Sequence, residues 1–308
     1  MPEISVIRPG SEARATALAG AAYAVAAYTA WAMLALYWKA LTGVPPFEVM
    51  LHRAVWSTLF LFGLVFANGR GAALHEAFRA PRALLALGLT AALLAANWYL
   101  FIWAMQSGFA LEASLGYYIN PLVNVLLGVV VLRESLSRIR RWAVGLATLG
   151  VTVLTVYLGV PPWVALILAA TFGIYGLLRK MTPVDPIVGL AVESLWMAIF
   201  AAPILAFMEV QGSASLGRLG LRTDIMLIAA GVVTAVPLIW FNAAAKRLTL
   251  STLGLFQYIA PTGMFLIAVF VNGEPFTAVH MVTFALIWLA LGLVAVESLR
   301  VARRIEGA

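Results

Sequence analysis

LGYYINP at residues 115–121 and LFQYIAP at residues 255–261 are two copies of one motif. The copies lie 140 residues apart, and each proline is followed 13 residues later by a glutamate, Glu134 and Glu274. Further matches at the same offset are Pro46 with Pro186, Trp56 with Trp196, Phe60 with Phe200 and Phe101 with Phe241. Apolar matches alone are weak evidence in a hydrophobic chain, but the shared Tyr-Ile-x-Pro with its later glutamate is specific. The chain therefore contains an internal repeat.

The composition places this repeat in a membrane. Of the 308 residues, 63% are hydrophobic and 11% are charged, whereas soluble domains are about 45–50% apolar and about 25% charged. These values exclude a soluble enzyme, a nucleic-acid-binding protein and a disordered chain. The net charge of +7 comes from short basic patches between apolar runs. We therefore expect the lipid bilayer, and no nucleic acid, as a partner.

The sequence offers no metal or cofactor motif. It has no cysteine, which excludes disulfides, thiolate catalysis and cysteine-based metal sites. It has three histidines and no HExxH motif, so we expect no histidine zinc site. It also lacks the GxxxxGK[ST] motif that binds nucleotide phosphates. Any transport would therefore draw its energy from a gradient.

Ten apolar runs are long enough to cross a bilayer, whose core of about 30 Å needs about 20 helical residues. They cover residues 16–38, 47–67, 83–106, 111–131, 142–158, 162–178, 187–208, 224–245, 251–271 and 278–297. The first run exceeds the apolar core of a signal peptide, about 7–15 residues, so it is predicted to be a retained helix. The sequence thus predicts an all-α integral membrane protein with ten transmembrane helices.

Lysines and arginines set the predicted orientation. Of the 20 basic residues, 16 lie at the termini and in the even-numbered loops. The opposite side holds Lys39, Arg218 and Arg222, and Arg53 lies inside the second span. Because basic loops stay in the cytoplasm, both termini are predicted to be cytoplasmic.

The repeat divides the ten spans into two groups of five, residues 16–158 and 162–301. Because five is odd, the second copy enters the membrane from the opposite side. This predicts an inverted-topology repeat related by a pseudo-two-fold axis in the membrane plane. Such repeats suit alternating access, because exchanging the conformations of the halves converts one state into the other. This is the main argument from the residues for a transporter.

Four stretches resemble one known family. They are LEASLGYYINPL at 111–122, HRAVWS at 52–57, NWYLFIWA at 97–104 and STLGLFQYIAPT at 251–262. The chain resembles the RarD family, in the EamA branch of the drug/metabolite transporter superfamily. The resemblance implies a ten-helix permease of the bacterial inner membrane, built from two EamA repeats. RarD proteins are commonly labelled chloramphenicol-sensitivity permeases, and that label does not fix a physiological substrate.

Ionisable groups inside the spans are candidates for gating or coupling, because each costs about 2.5–3.5 kcal/mol to insert. One hypothesis is an outer gate between Arg53 and Glu112 and an inner gate between Glu193 and Lys246 or Arg247. The alternative is permanent ion pairs that fasten helices together. Two roles are open to His52, which is either a proton carrier or an ordinary hydrogen-bonding residue. Glu193 is the stronger proton candidate. The candidate gating or coupling residues are His52, Arg53, Glu112, Glu193 and Lys246.

Amides and aromatic side chains at mid-depth form a second constellation. Aromatic walls with a few amides suit a partly apolar ligand that carries hydrogen-bonding groups. The alternative is interhelical hydrogen bonds and interfacial aromatic belts, although Tyr118 and Tyr258 are too deep for a belt. The candidate substrate-binding residues are Tyr28, Trp31, Asn97, Trp98, Tyr118, Asn120, Asn124, Gln257 and Tyr258.

Pro121 and Pro261 fall at equivalent places within the fourth and ninth spans. A proline inside a helix removes one backbone hydrogen bond and bends the helix. The sequence therefore predicts a pair of kinks near the site, whose freed carbonyls bind substrate or are satisfied by neighbouring groups. We interpret Glu134 and Glu274 as anchors of helix ends.

The resulting prediction is a secondary transporter that moves a small metabolite or drug-like compound by alternating access, through proton coupling or exchange. The alternatives are an intramembrane enzyme and a membrane binding protein without transport. The enzyme is disfavoured because no two carboxylates share a turn of a membrane helix. The first span has no glutamate of the kind that small-cation exporters of the superfamily have, which favours a zwitterion, a weak anion or a neutral polar substrate. Both a monomer and a homodimer are compatible with the sequence.

Overall fold

A computed structural model describes residues 9–41, 43–106, 110–159, 163–270 and 277–306. Within these ranges the chain is α-helical and contains no strand. The helices are α1 (Pro9–Lys39), α2 (Pro46–Ala67), α3 (Gly71–Arg79), α4 (Pro81–Gln106), α5 (Ala110–Val130), α6 (Arg138–Leu158), α7 (Trp163–Met181), α8 (Pro186–Val210), α9 (Leu221–Arg247), α10 (Leu250–Phe256), α11 (Ile259–Phe270) and α12 (Ala278–Glu306).

These helices confirm the predicted all-α membrane fold. Seven of those described are long and apolar enough to cross a membrane, namely α1, α2, α4, α6, α7, α8 and α9. The apolar stretches Gly116–Val130 of α5 and Met281–Val294 of α12 are shorter within the described residues. The ninth predicted span is divided into α10 and α11. The short α3, which the sequence reading missed, connects the second and third spans.

Helix ends follow local sequence signals. Pro46 and Pro186 begin α2 and α8, where a proline costs no hydrogen bond because the first helical N–H has no partner anyway. Asp185 caps α8 by accepting the backbone N–H groups of Ile187 and Val188 at 2.9 and 3.2 Å. Gly159 ends α6 with φ of +63°, a left-handed conformation that glycine adopts without strain.

The two repeat prolines have different effects. Pro261 cannot donate to the carbonyl of Gln257, and its ring crowds that carbonyl. The helix breaks there, and Ala260 N–H instead makes a tight turn to Gln257 O at 3.1 Å. By contrast, α5 continues as one helix past Pro121.

Packing between the halves follows the internal repeat. Three helices pack on their own repeat counterparts: α2 on α8, α6 on α12 and α5 on α10. The most extensive of the other contacts occur in exchanged pairs: α1 with α9 corresponds to α7 with α4, and α5 with α7 corresponds to α11 with α1. Two five-span repeats produce this symmetry, because exchanging the halves converts each of these main contacts into another of them.

The closest approach of α2 and α9 requires a glycine. A Cβ at Gly231 would overlap the backbone of Trp56 and Ser57 and would lie 2.6 Å from Trp56 Cβ. Ser57 Oγ donates to the carbonyl of Gly231 at 3.0 Å. The absence of a side chain therefore lets these helices from different repeats touch.

Gly231→Ala is expected to destabilise the protein by about 1–3 kcal/mol, the usual cost of overpacking. The control is Gly63→Ala in α2, where a Cβ would have no neighbouring atom within 4 Å. This control is expected to be neutral or stabilising, since alanine favours a helix over glycine by up to about 1 kcal/mol. Thermal unfolding of both variants in detergent tests this, and equal melting temperatures would contradict the close-packing argument.

Candidate functional site

A cavity of about 590 Å³ lies between the two halves of the chain. It is lined by α1, α2, α4, α5, α7, α9, α11 and the break before α11, and it extends to Leu41 and Val44 in the connection between α1 and α2. Its size falls in the range of about 300–1,000 Å³ that is typical of small-molecule sites. The sequence-predicted residues that line it are Tyr28, Trp31, Arg53, Asn97, Trp98, Asn120 and Gln257.

Arg53 is held in the cavity wall by aromatic rings. Its guanidinium carbon lies 4.7 Å from the ring centre of Trp38 and 4.1 Å from that of Trp98, a cation–π arrangement. Arg53 Nε donates to Thr234 Oγ1 at 3.0 Å. Among the described side chains no carboxylate pairs with Arg53. Its predicted partner Glu112 belongs to α5, but the side chain of Glu112 lies outside the described residues.

Two of the four candidate amides act mainly between helices. Asn97 Nδ2 donates to Leu168 O and to Thr171 Oγ1, both at 2.9 Å, and thereby joins α4 to α7. Asn124 is fully buried outside the cavity wall, and its Nδ2 donates to Gln257 Oε1 at 2.8 Å. These bonds match the alternative reading of the amides as interhelical links.

Asn120 differs from the other candidate amides in that its side-chain oxygen, unpaired among the described residues, lies at the cavity, whereas the similarly unpaired Oδ1 of Asn124 lies outside the cavity wall. The Asn120 side chain is 5% exposed and lines the cavity, and its Oδ1 has no hydrogen-bond partner among the described residues. Because an unpaired buried acceptor costs about 1–3 kcal/mol, Asn120 Oδ1 is a natural point for a ligand to donate a hydrogen bond.

Tyr118 and Tyr258 lie away from the cavity, contrary to their candidate role. Both are buried in an apolar cluster with residues of α6 and α12 such as Ala147 and Phe284. They were selected from the sequence by their depth along the helix. Depth alone does not fix which side of a helix faces the cavity.

Glu193 pairs with Arg179, and the expected partners Lys246 and Arg247 do not contact its carboxylate. Arg179 Nε lies 3.4 Å from Glu193 Oε1, and both side chains are fully buried. Arg179 also donates to the carbonyl of Pro186 at 3.3 Å. A Cβ at Gly189 would overlap the Arg179 guanidinium, so α8 needs a glycine there to admit this side chain.

Further hydrogen bonds extend this pair across four helices. Thr90 Oγ1 of α4 donates to Glu193 Oε1 at 2.5 Å. The Tyr175 hydroxyl of α7 donates to Glu193 Oε2 at 3.5 Å and accepts from Asn242 Nδ2 of α9 at 3.2 Å. We call Thr90, Tyr175, Arg179, Glu193 and Asn242 the buried polar network.

Lys246 binds backbone carbonyls instead of a carboxylate. Its Nζ donates to Lys180 O at 3.3 Å and to Thr182 O. In return, Lys180 Nζ donates to Ala245 O at 3.0 Å and to Leu248 O. The two lysines thus satisfy free carbonyls at the ends of α7 and α9, where a helix dipole favours cations.

His52 lies outside the cavity lining. Its Nδ1 accepts from Trp56 Nε1 at 3.1 Å, and its Nε2 lies 3.7 Å from Glu48 Oε1. Glu48 in turn accepts from the backbone N–H and the hydroxyl of Ser215 at 2.5 and 2.7 Å. These contacts tie α2 to the connection between α8 and α9, as the hydrogen-bonding interpretation of His52 expects.

Glu134 was interpreted as a helix-end anchor, and its contacts fit that role. Its carboxylate accepts the backbone N–H groups of Leu250 and Ser251 at 2.6 and 2.9 Å. It thereby caps the start of α10. The repeat counterpart Glu274 lies outside the described residues.

Comparisons with known proteins agree with this architecture. The EamA-like transporter family matches residues 18–156. An uncharacterized transporter of Vibrio cholerae is 44% identical over 91% of this chain and 93% of its own length. Protein RarD of Escherichia coli K12 is 42% identical over 92% of this chain and 96% of its own length. The chain belongs to the RarD family of EamA-type transporters.

Other comparisons extend these matches. The chloramphenicol-sensitive protein RarD of Pseudomonas aeruginosa is 32% identical over 92% of this chain and 96% of its own length. A solved crystal structure of 21% identity superposes with a TM-score of 0.71, over 92% of this chain and 98% of the other. That likeness concerns the fold alone. As a RarD-type protein, the chain is a multi-pass membrane transporter of the drug/metabolite superfamily.

Sequence reasoning missed the partners of Glu193 and Arg53, among them Trp38, Thr234 and Arg179. Trp38 and Thr234, which hold Arg53, carry no motif and lie outside the repeat matches. Arg179 was counted as a loop charge because its apolar run ends at residue 178. The signal that was available is the repeat itself, since the 140-residue offset puts Arg179 opposite Lys39 at the end of an equivalent helix.

Arg179→Met is expected to cost about 3–5 kcal/mol of unfolding free energy, because it leaves the Glu193 charge buried without its partner. Adding Glu193→Gln to this variant should recover much of the loss, since Gln carries no charge and can still accept from Thr90. The control is Arg70→Met, which removes the part-exposed Arg70–Asp185 pair and should cost at most about 1 kcal/mol. Unfolding in detergent measures all three, and equal losses for the two arginine variants would contradict the prediction.

Proposed function

We propose that the protein is a secondary transporter that moves a small metabolite or drug-like compound across the bacterial inner membrane by alternating access. The observation that carries the proposal is the cavity of about 590 Å³ between two inverted halves. Residues 16–158 and 162–301 would be the two repeats that move against each other. An intramembrane enzyme or a simple binding protein would also need a cavity, but neither requires it to lie between two inverted repeats, as alternating access does.

The proposed state of the described structure is outward-facing. The cavity extends towards the connection between α1 and α2, which the distribution of basic residues assigns to the periplasm, with both termini in the cytoplasm. The buried polar network lies towards the other ends of α7 and α9. Its core pair, Arg179 and Glu193, is fully buried, which supports a seal on the cytoplasmic side.

The proposed inner gate is the Arg179–Glu193 pair, in place of the pair with Lys246 or Arg247 that the sequence suggested. Glu193 is also the proposed carrier of a coupling proton. Protonation would remove the carboxylate charge, and with it the attraction that holds Arg179 across α7 and α8. On the outer side, Arg53 faces the cavity, and we propose that it acts in substrate binding and, with Glu112, in outer gating.

Alternating access predicts sided labelling of single cysteines, which is specific here because the chain has no native cysteine. Thr234→Cys in the cavity wall should react with an impermeant maleimide from the periplasmic side. The native Ala245 is 1% exposed, so Ala245→Cys should be protected from maleimide added on the cytoplasmic side. Adding Glu193→Gln should increase labelling of Ala245→Cys in inside-out vesicles. Labelling of Thr234→Cys only from the cytoplasmic side would contradict the outward-facing assignment.

Proton coupling predicts a substrate-dependent proton flux that requires Glu193. Purified protein in vesicles with an internal pH dye is given a panel of amino acids, amine metabolites, small organic acids and chloramphenicol. The flux should be lost in Glu193→Gln and retained in Glu297→Gln, whose native carboxylate pairs with Arg140 outside the cavity. Uptake of a labelled panel member without proton flux would contradict the proton role of Glu193 and would leave transport itself supported.

A further inference from the structure

We infer that the cavity binds a net monoanion, namely a monocarboxylate with an aromatic body and a hydroxyl or amide N–H donor. This inference deepens the proposed transport function: the bound anion is a transported substrate only if the protein is a transporter. The inference rests on three features of the described cavity wall: a guanidinium that no described carboxylate pairs with, an amide oxygen without a described hydrogen-bond partner, and a set of aromatic rings.

The charge of the cavity wall sets the charge of the ligand. Arg53 is the one charged residue among the described residues that line the cavity. A guanidinium in a mostly apolar environment loses hydration and gains little back from ring faces alone. An anionic ligand supplies the counter-charge that no described residue of the cavity wall provides. A cation would add a second positive charge at the same depth.

The mounting of Arg53 favours a carboxylate. The rings of Trp38 and Trp98 contact the guanidinium group, and Thr234 Oγ1 accepts a hydrogen bond from Nε. The two terminal nitrogens make no hydrogen bond to a described residue. Because these nitrogens present parallel N–H donors, they match the two oxygens of a carboxylate. The planar guanidinium fork is therefore already oriented to bind a carboxylate through both of its terminal nitrogens.

Asn120 and the rings define the rest of the ligand. Asn120 Oδ1 is buried at the cavity and has no hydrogen-bond partner among the described residues, so it favours a ligand with an O–H or N–H donor. Trp31 and Phe172 also line the cavity and contact each other edge to face, with ring centres 5.8 Å apart. Such walls favour a flat apolar body.

An amino acid zwitterion fits less well than a hydroxy acid of the same shape. Its ammonium group would satisfy Asn120, but no carboxylate lines the described part of the cavity to balance the charge. A hydroxyl donates the same hydrogen bond without a buried charge. We therefore expect selection by net charge among ligands that share one carbon skeleton.

The test is binding of four probes to the purified full chain by isothermal titration calorimetry in detergent. They are 3-phenyllactate, 3-phenylpropionate, phenylalanine and phenethylamine, which share a ring and differ in charge and donor. We expect affinity to fall in that order, with no binding of the amine. Arg53→Met should weaken phenyllactate about 100-fold and Arg53→Lys about tenfold, since a lysine keeps the charge and loses the fork. Arg140→Met, which removes an arginine outside the cavity, should change nothing.

A second variant keeps the test independent of whether the Arg53 variants fold. Asn120→Leu should weaken phenyllactate about fivefold, the usual effect of one neutral hydrogen bond. It should leave phenylpropionate unchanged, because that acid has no hydroxyl. The two acids would then bind equally. An unchanged ratio of their affinities in Asn120→Leu, or tightest binding of phenethylamine, would overturn the inference.

Flux separates this inference from the proposed function. The same four probes are tested for counterflow in vesicles. Counterflow of phenethylamine but of neither acid would support transport and overturn the anion site. Binding of phenyllactate that depends on Arg53 but yields no counterflow would support the anion site and contradict its role in transport.

Discussion

Lipid offers no hydrogen bonds, and this constraint organises the molecule. Every polar group inside the membrane must find a partner within the protein or line a cavity. Glu193 meets it through Arg179, Thr90 and Tyr175, and Asn97 through two groups of α7. The partnered groups hold helices together. At the cavity wall, by contrast, the terminal nitrogens of Arg53 and the Oδ1 of Asn120 have no partner among the described residues, which is why these two residues define the candidate ligand.

The broken ninth span shows how the constraint links the two repeats. Pro261 frees backbone groups at Gln257, and the short α10 has to be capped inside the protein. The carbonyl of Gln257 is satisfied within the break by the N–H of Ala260. The first repeat supplies Glu134, which caps the start of α10, and Asn124, which donates to the side chain of Gln257. Since Gln257 and Ala260 line the cavity, the irregular backbone lies where a substrate site can use it. A movement of one repeat relative to the other would therefore displace the groups of this break.

The sequence predicted the features that depend on position along the chain. Apolar runs and the 140-residue repeat gave the spans, and the depth of polar residues selected Arg53, Asn97 and Asn120, which do line the cavity. The sequence did not predict the rotation of each helix about its own axis, which decides which residues face the cavity. A helix surrounded by lipid and apolar neighbours is hydrophobic on all sides, so no stripe distinguishes the cavity face. Tyr118 and Tyr258 were misplaced for this reason.

Partner choice was limited by a related ambiguity. Lys246 and Arg179 lie at similar depth, and both can in principle reach Glu193. The distinction depends on Gly189, whose missing side chain leaves room for the Arg179 guanidinium within α8. It also depends on α7 extending to Met181, so that Arg179 stays inside the helix and Lys246 meets free carbonyls beyond it. A single sequence does not indicate which glycines make room for a side chain from another helix.

The strength of the buried pair constrains how a transporter of this design would open. Separating Arg179 from Glu193 without compensation would cost about 3–5 kcal/mol, which lowers the open population by roughly two to four orders of magnitude. Compensation must come from water entering as the helices part, from a proton on Glu193, or from charge brought by the ligand. A proton on Glu193 leaves Arg179 as a buried cation, and an anion that moves inward past Arg53 would neutralise it. In the proposed mechanism, a proton on Glu193 would therefore weaken the inner pair by itself, and an anionic substrate that arrives with the proton would favour opening further, because it neutralises the charge left on Arg179.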